Sequence, residues 1–124
     1  MWRKEMSSQL KVLVILSSSD VNKILTGLLW STNAYKYKWA SDVKVIFFGP
    51  SEKFLVSKDK RVLDALKQFL SYANQKPLAC KFLAEQDGTL NELQTVSSEI
   101  GIDVVYVGSK VSSYLSEGYV PLVF

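Results

Sequence analysis

The segment Lys11-Val12-Leu13-Val14-Ile15-Leu16-Ser17-Ser18-Ser19-Asp20 decides how the rest of the chain is read. Lys11 to Leu16 is almost wholly apolar and rich in β-branched side chains, the pattern of a strand covered on both faces, as in a parallel sheet. Ser17 to Asp20 then supplies the side-chain oxygens that cap a helix N-terminus. Beyond the cap, Val21, Ile24, Leu25, Leu28, Leu29 and Thr32 recur at the spacing of one helical face, which predicts a helix from about Asp20 to Tyr37. Strand, polar cap and amphipathic helix in that order open an α/β domain.

The alternation continues outward. Asp42 to Phe48 predicts a second strand, closed by Gly49-Pro50. Ser51 to Ser57 is ambiguous, because Phe54-Leu55-Val56 is apolar but short. Asp59 is placed to cap a helix that carries Val62, Leu63, Leu66, Phe69, Leu70 and Ala73 on one face. Pro77 to Phe82 reads as a weaker third strand, handing over to a loop around Cys80. Thr89 and Glu92 have the spacing of a capping box, opening a helix through Leu90, Leu93, Val96 and Ile100 that Gly101 ends. Ile102 to Val107 is a fourth strand, terminated by Gly108-Ser109, and a short helix with Val111, Tyr114 and Leu115 closes at Gly118. Tyr119 to Phe124 is the fifth, with Pro121 marking an edge or a late start. After a polar lead at 1–10, one α/β domain is expected, with a five-stranded, mainly parallel sheet and helices on both faces.

Composition narrows the function. The 124 residues make one domain, large enough to bury a core without disulfides or metals, and 48% apolar residues place it among globular chains. No run is long enough to span a bilayer, and the start Met1-Trp2-Arg3-Lys4-Glu5-Met6 lacks the apolar region of a signal peptide, so no membrane partner and a cytoplasmic location are expected. A single cysteine fits a reducing compartment. The absence of histidine removes Ser-His-Asp and Cys-His catalysis and imidazole-built zinc sites. The net charge of +3 is spread along the chain rather than gathered in a block.

In a parallel sheet, ligands bind outside the carboxyl ends of the strands. Ser17, Ser18 and Ser19, Gly49-Pro50, Cys80-Lys81, and Gly108 with Ser109 are therefore expected to gather along one edge and line a cleft. Cys80 is the nucleophile candidate there, with helix N-termini and Lys81 favouring its thiolate. A lone cysteine also reads as a small buried hydrophobe. Partial exposure of Cys80 favours chemistry; burial against apolar side chains favours a binding module without catalysis. Ser17 to Asp20 lacks the glycines that let backbone approach a pyrophosphate, so a plain cap is the better reading there. Tyr35-Lys36-Tyr37-Lys38-Trp39 interleaves basic and aromatic residues, as single-strand nucleic-acid surfaces do, but without a basic field around it a subunit contact explains it as well. Glu85 and Asp87 read as solvated loop carboxylates rather than a proton relay.

The stretch from Cys80 to Gly88, a cysteine eight residues before a glycine and then a helix, resembles the DsrE-like family of sulfur-handling proteins. Val12 to Ser19, Val43-Lys44-Val45-Ile46-Phe47-Phe48-Gly49, and Val107-Gly108-Ser109 with Tyr114-Leu115 look like that family's landmarks in order, over roughly Lys11 to Phe124. The resemblance implies a three-layer α/β/α fold, homo-oligomers such as trimers or hexamers, and a persulfide carried on Cys80. It implies sulfur donor and acceptor proteins as partners, and no metal or organic cofactor. The alternative is an oligomeric module that binds a small molecule or protein at the strand-end cleft.

Overall fold

The computed structural model describes residues 9–124; the polar lead expected at 1–10 lies outside the described residues up to position 8. Strand β1 (Lys11–Leu16) pairs in parallel with β2 (Asp42–Phe47) along its whole length, from Lys11 opposite Asp42 to Leu16 opposite Phe47. The sheet has five strands in the order β4-β3-β2-β1-β5, with β3 at Leu78–Cys80, β4 at Asp103–Val105 and β5 at Val120–Val123. Every pairing is parallel. Pro121 sits in β5, which pairs with β1 alone, so its missing N–H falls on an edge strand as expected.

Side chains alternate between two apolar layers, as the period of a strand demands. Val12, Val14 and Leu16 of β1, Val43, Val45 and Phe47 of β2 and Ala79 of β3 face one layer. That layer is covered by α1 (Val21–Lys36), α2 (Glu52–Val56), α3 (Lys60–Tyr72) and α5 (Leu90–Ile100), through Ile24, Leu28, Phe54, Leu55, Leu66, Phe69, Leu93 and Val96. Leu13, Ile46 and Cys80 face the other, where α6 (Val107–Ser116), Leu83 of α4 (Lys81–Asp87) and Tyr119 close over them. Helices on both faces of a parallel sheet make a three-layer α/β/α fold.

Local chemistry sets most boundaries where the sequence put them. Asp20 caps α1 by accepting the Asn22 amide, and Asp59 caps α3 by accepting the Arg61 and Val62 amides. Gly27 brings α1 against the sheet: a methyl group there would stand 2.5 Å from Leu16 Cδ2 and 2.9 Å from the Phe124 ring.

Several expectations need correcting. Ser51 to Ser57, ambiguous in sequence, contains the helix α2. No loop follows Cys80, because Lys81 opens α4 directly; Lys81, Leu83, Ala84 and Glu85 are good helix formers, and Gly88 ends the helix in the left-handed region at φ 72°. Thr89 precedes α5 but makes no side-chain cap, so the capping box does not form. Gly108 and Ser109 lie in the first turn of α6, whose cap is Tyr106, so β4 stops at Val105 instead of running to Val107.

Candidate functional site

Past the carboxyl ends of β2 and β3 lies a cleft of about 540 Å³, lined by Gly49, Pro50, Glu52, Lys53, Val56 and Ser57 on one side and by Leu83, Asp87 and Thr89 on the other. Its first wall is built from a tight reversal after β2. Gly49 has φ +113°, and a methyl group on it would stand 3.3 Å from the Ser17 carbonyl oxygen, so only glycine lets the chain turn here without strain. Ser51 then pins the turn to β1: its hydroxyl donates to the Leu16 carbonyl and its amide to the Ser17 carbonyl at 3.4 Å. Phe54 and Leu55 anchor α2 in the main core, which fixes Glu52 at the start of the helix facing inward.

Glu52 is the unusual residue of the site. It is 7% exposed, and its Oε2 is buried without a hydrogen-bond partner. Burial pushes its carboxyl up to about 7, against the pull of the Gly49 and Cys80 backbones, and the negative charge of Asp87 pushes it the same way. Such a carboxyl takes or releases a proton near neutral pH and can hold a ligand's donor group. Lys53 lines the same wall, but its ammonium stands 5.2 Å above the Phe54 ring. Val56 and Leu83 supply apolar surface on opposite walls.

The residues singled out in sequence are distributed along the strand-end edge rather than gathered in one cavity. Gly49 lines the cleft. Ser17 touches Gly49 but, with Ser18, lines a separate hollow of about 390 Å³ beside Lys23 and Phe124. Ser18 Oγ accepts the Asp20 amide at 2.9 Å, and Ser19 is exposed, so this segment works as a helix cap. Gly108 and Ser109 are exposed on α6.

Cys80 ends β3 and stands at the N-terminal cap of α4, and its backbone amide favours the ionised Glu52 carboxyl. Its side chain is 3% exposed and packs with Leu13, Ile46, Val107 and Tyr119 in the smaller core. Lys81 stands over the Tyr106 ring at 5.2 Å from its centroid, and Tyr106 donates a hydrogen bond to Glu85 at 2.9 Å. Among the described residues no group of three or more His, Cys, Asp or Glu side chains comes together as a metal site would need.

Glu52 escaped the sequence reading. The signal was present in retrospect: one carboxylate between a Gly-Pro strand ending and an apolar Phe54-Leu55-Val56 run, where a helix start has to be buried.

The aromatic segment after α1 divides. Tyr35 turns inward, its hydroxyl donating to Asp42 at 3.0 Å and accepting the Val43 amide at 3.3 Å, with its ring on Phe69. Tyr37 and Trp39 remain 56% and 42% exposed, their rings 5.7 Å apart. Among the described residues, no helix is long and apolar enough to cross a membrane.

Scans against protein-family models and against curated proteins give no match for this chain. Among solved structures it is similar to a conserved protein of unknown function from Bacteroides thetaiotaomicron, at 22% identity and a TM-score of 0.76, with 92% of this chain and 95% of that one covered. At that identity the likeness shows the shared fold and nothing about activity.

Proposed function

We propose that this protein is a small-molecule-binding module whose ligand occupies the cleft between Gly49–Ser57 and Leu83–Thr89. The observation that carries the reading is Glu52, a buried residue whose Oε2 has no hydrogen-bond partner, lining an otherwise largely apolar cleft at the carboxyl edge of a parallel sheet. A buried carboxyl oxygen without a partner is costly, and a ligand donor group would relieve that cost. The cleft lies within the size range of pockets that enclose small molecules. The experiment is a fragment screen read by backbone amide shifts. Binders should move the amides of Gly49 to Ser57 and Leu83 to Thr89 together, and a Val56→Trp substitution should block them. A screen in which no fragment moves that set sinks the reading.

A second reading keeps Cys80 as a sulfur carrier of the DsrE-like kind. It is supported by the position of Cys80 at a strand's carboxyl end, where its backbone meets the Glu52 wall. Its thiolate would attack the outer sulfur of a donor persulfide, forming a new S–S bond at Cys80 and releasing the donor thiolate. Burial against Leu13, Ile46 and Tyr119 means that loading requires α4 or α6 to open. Intact mass after incubation with a low-molecular-weight persulfide decides it: a gain of one sulfur that Cys80→Ser abolishes supports the carrier, and no gain on the folded protein removes it. In either reading the chain self-associates, as a trimer or hexamer, through the exposed aromatics Tyr37 and Trp39. Light scattering that gives the monomer mass at micromolar concentration counts against association.

A further inference from the structure

We infer that the ligand of the Glu52 cleft is a small organic cation, a primary ammonium on a short apolar body. This rests on the small-molecule reading of the cleft and names what that molecule is. Two carboxyl groups serve the site from different elements: Glu52 on α2, buried with Oε2 unpartnered, and Asp87 on α4, whose charge reaches Glu52. The cation among the lining residues, Lys53, is turned toward the Phe54 ring, and Phe54 is not part of the cleft wall. Thr89, at the entry to α5, adds no charge.

An incoming carboxylate would meet two acidic groups and lose its hydration without return. A neutral alcohol would satisfy one lone pair of Glu52 and leave the repulsion from Asp87 in place. An ammonium does both jobs: it donates to the Glu52 carboxylate, and its charge lets Glu52 ionise beside Asp87. Behind the head group, Pro50, Val56 and Leu83 present carbon surface, so an apolar tail is buried where a hydrated one is not.

The test uses three probes that share one tail: n-hexylamine, 1-hexanol and hexanoate. They are titrated into the full chain at about pH 8, where an aliphatic amine keeps its proton. Amide shifts at Gly49 to Ser57 and Leu83 to Thr89 report occupancy of this cleft rather than another surface. Hexylamine should bind at least about tenfold more tightly than either partner probe, and Glu52→Gln should remove most of that preference. Asp87→Asn should weaken the amine by about threefold, as an exposed charge does, without affecting hexanol. Because binding drives a proton off Glu52, amine affinity in the wild type should fall as the pH drops below about 7 and stay level in Glu52→Gln. Far-ultraviolet circular dichroism confirms that both variants are folded. Equal or tighter binding of hexanol or hexanoate at the same amides overturns the amine and leaves the cleft reading standing. Retained amine preference in Glu52→Gln, or no amine shift in the cleft, also overturns it, and the fragment screen then judges the cleft independently.

Discussion

Replacing Glu52 by glutamine should make the protein more stable above neutral pH and leave it nearly unchanged in mild acid. The carboxyl has an ordinary value of 4.5 and is raised to about 7 in the folded chain, first by burial. Between those two values the folded state binds a proton that the unfolded state has released. Stability is therefore fully present below the unfolded value and is lost as the pH rises through the folded one. Each pH unit between the two values corresponds to about 1.4 kcal/mol, so ionising Glu52 in place costs at most about 3 kcal/mol by about pH 8. Glutamine is close to the protonated acid in size and carries no charge, so it escapes that loss. Urea unfolding at several pH values between about 5 and 8 reads the difference; with a slope of about 2 kcal/mol per molar urea, the midpoints should separate by up to roughly 1.5 M at the alkaline end. The chain has no histidine, which keeps other side-chain titrations out of this window. A separation that is the same at every pH would refute the reasoning, because Glu52 would then titrate alike in both states.

Gly27→Ala should destabilise the protein by about 1–2 kcal/mol, since its methyl meets the fully buried Leu16 and the Phe124 ring, and the overpacking exceeds the gain of about 1 kcal/mol in helix propensity. An unchanged or raised melting temperature would show that α1 can move off the sheet. Asp42→Ala should cost about 2–3 kcal/mol in chemical unfolding, because Asp42 accepts from Tyr35 and Tyr119 and pairs with Lys44 at 3.1 Å, tying both helical layers to one end of β2. Burial alone would raise the Asp42 carboxyl, but hydrogen bonds from Tyr119, Lys44 and Tyr35 hold it below the ordinary value of 3.8. Its contribution is therefore present above that value and is lost as the pH falls through the lowered one, so a gap between wild type and variant that stays undiminished in acid would contradict the assignment. Asp59→Ala should lower stability by about 1 kcal/mol through the lost cap of α3, and Asp59→Asn, which keeps the acceptor, should restore most of it.

What the sequence determined by itself was the parallel α/β architecture and most element boundaries, because those depend on period and on chemistry within a few residues. Apolar Val12 to Leu16 has to be covered on both faces wherever it lies, and Asp20 and Asp59 cap helices through amides two or three residues away. Legibility failed where a helix spans only one or two turns. Glu52–Val56 and Lys81–Asp87 span too few turns to show a stripe, and Val107 looked like strand because one buried β-branched residue cannot distinguish a strand end from a helix start. The site lay further out of reach. Cys80 is buried because Leu13, Ile46, Val107 and Tyr119, far apart in the chain, meet around it. Glu52 lost its water because Ser51 is tied to the end of β1 while Phe54 and Leu55 are held in the core. Its proton affinity follows from that burial and from Asp87 on another helix. Burial and the field at a charged group are set by what fills the surrounding space, and in this protein that is chosen by the tertiary packing of segments distant in sequence.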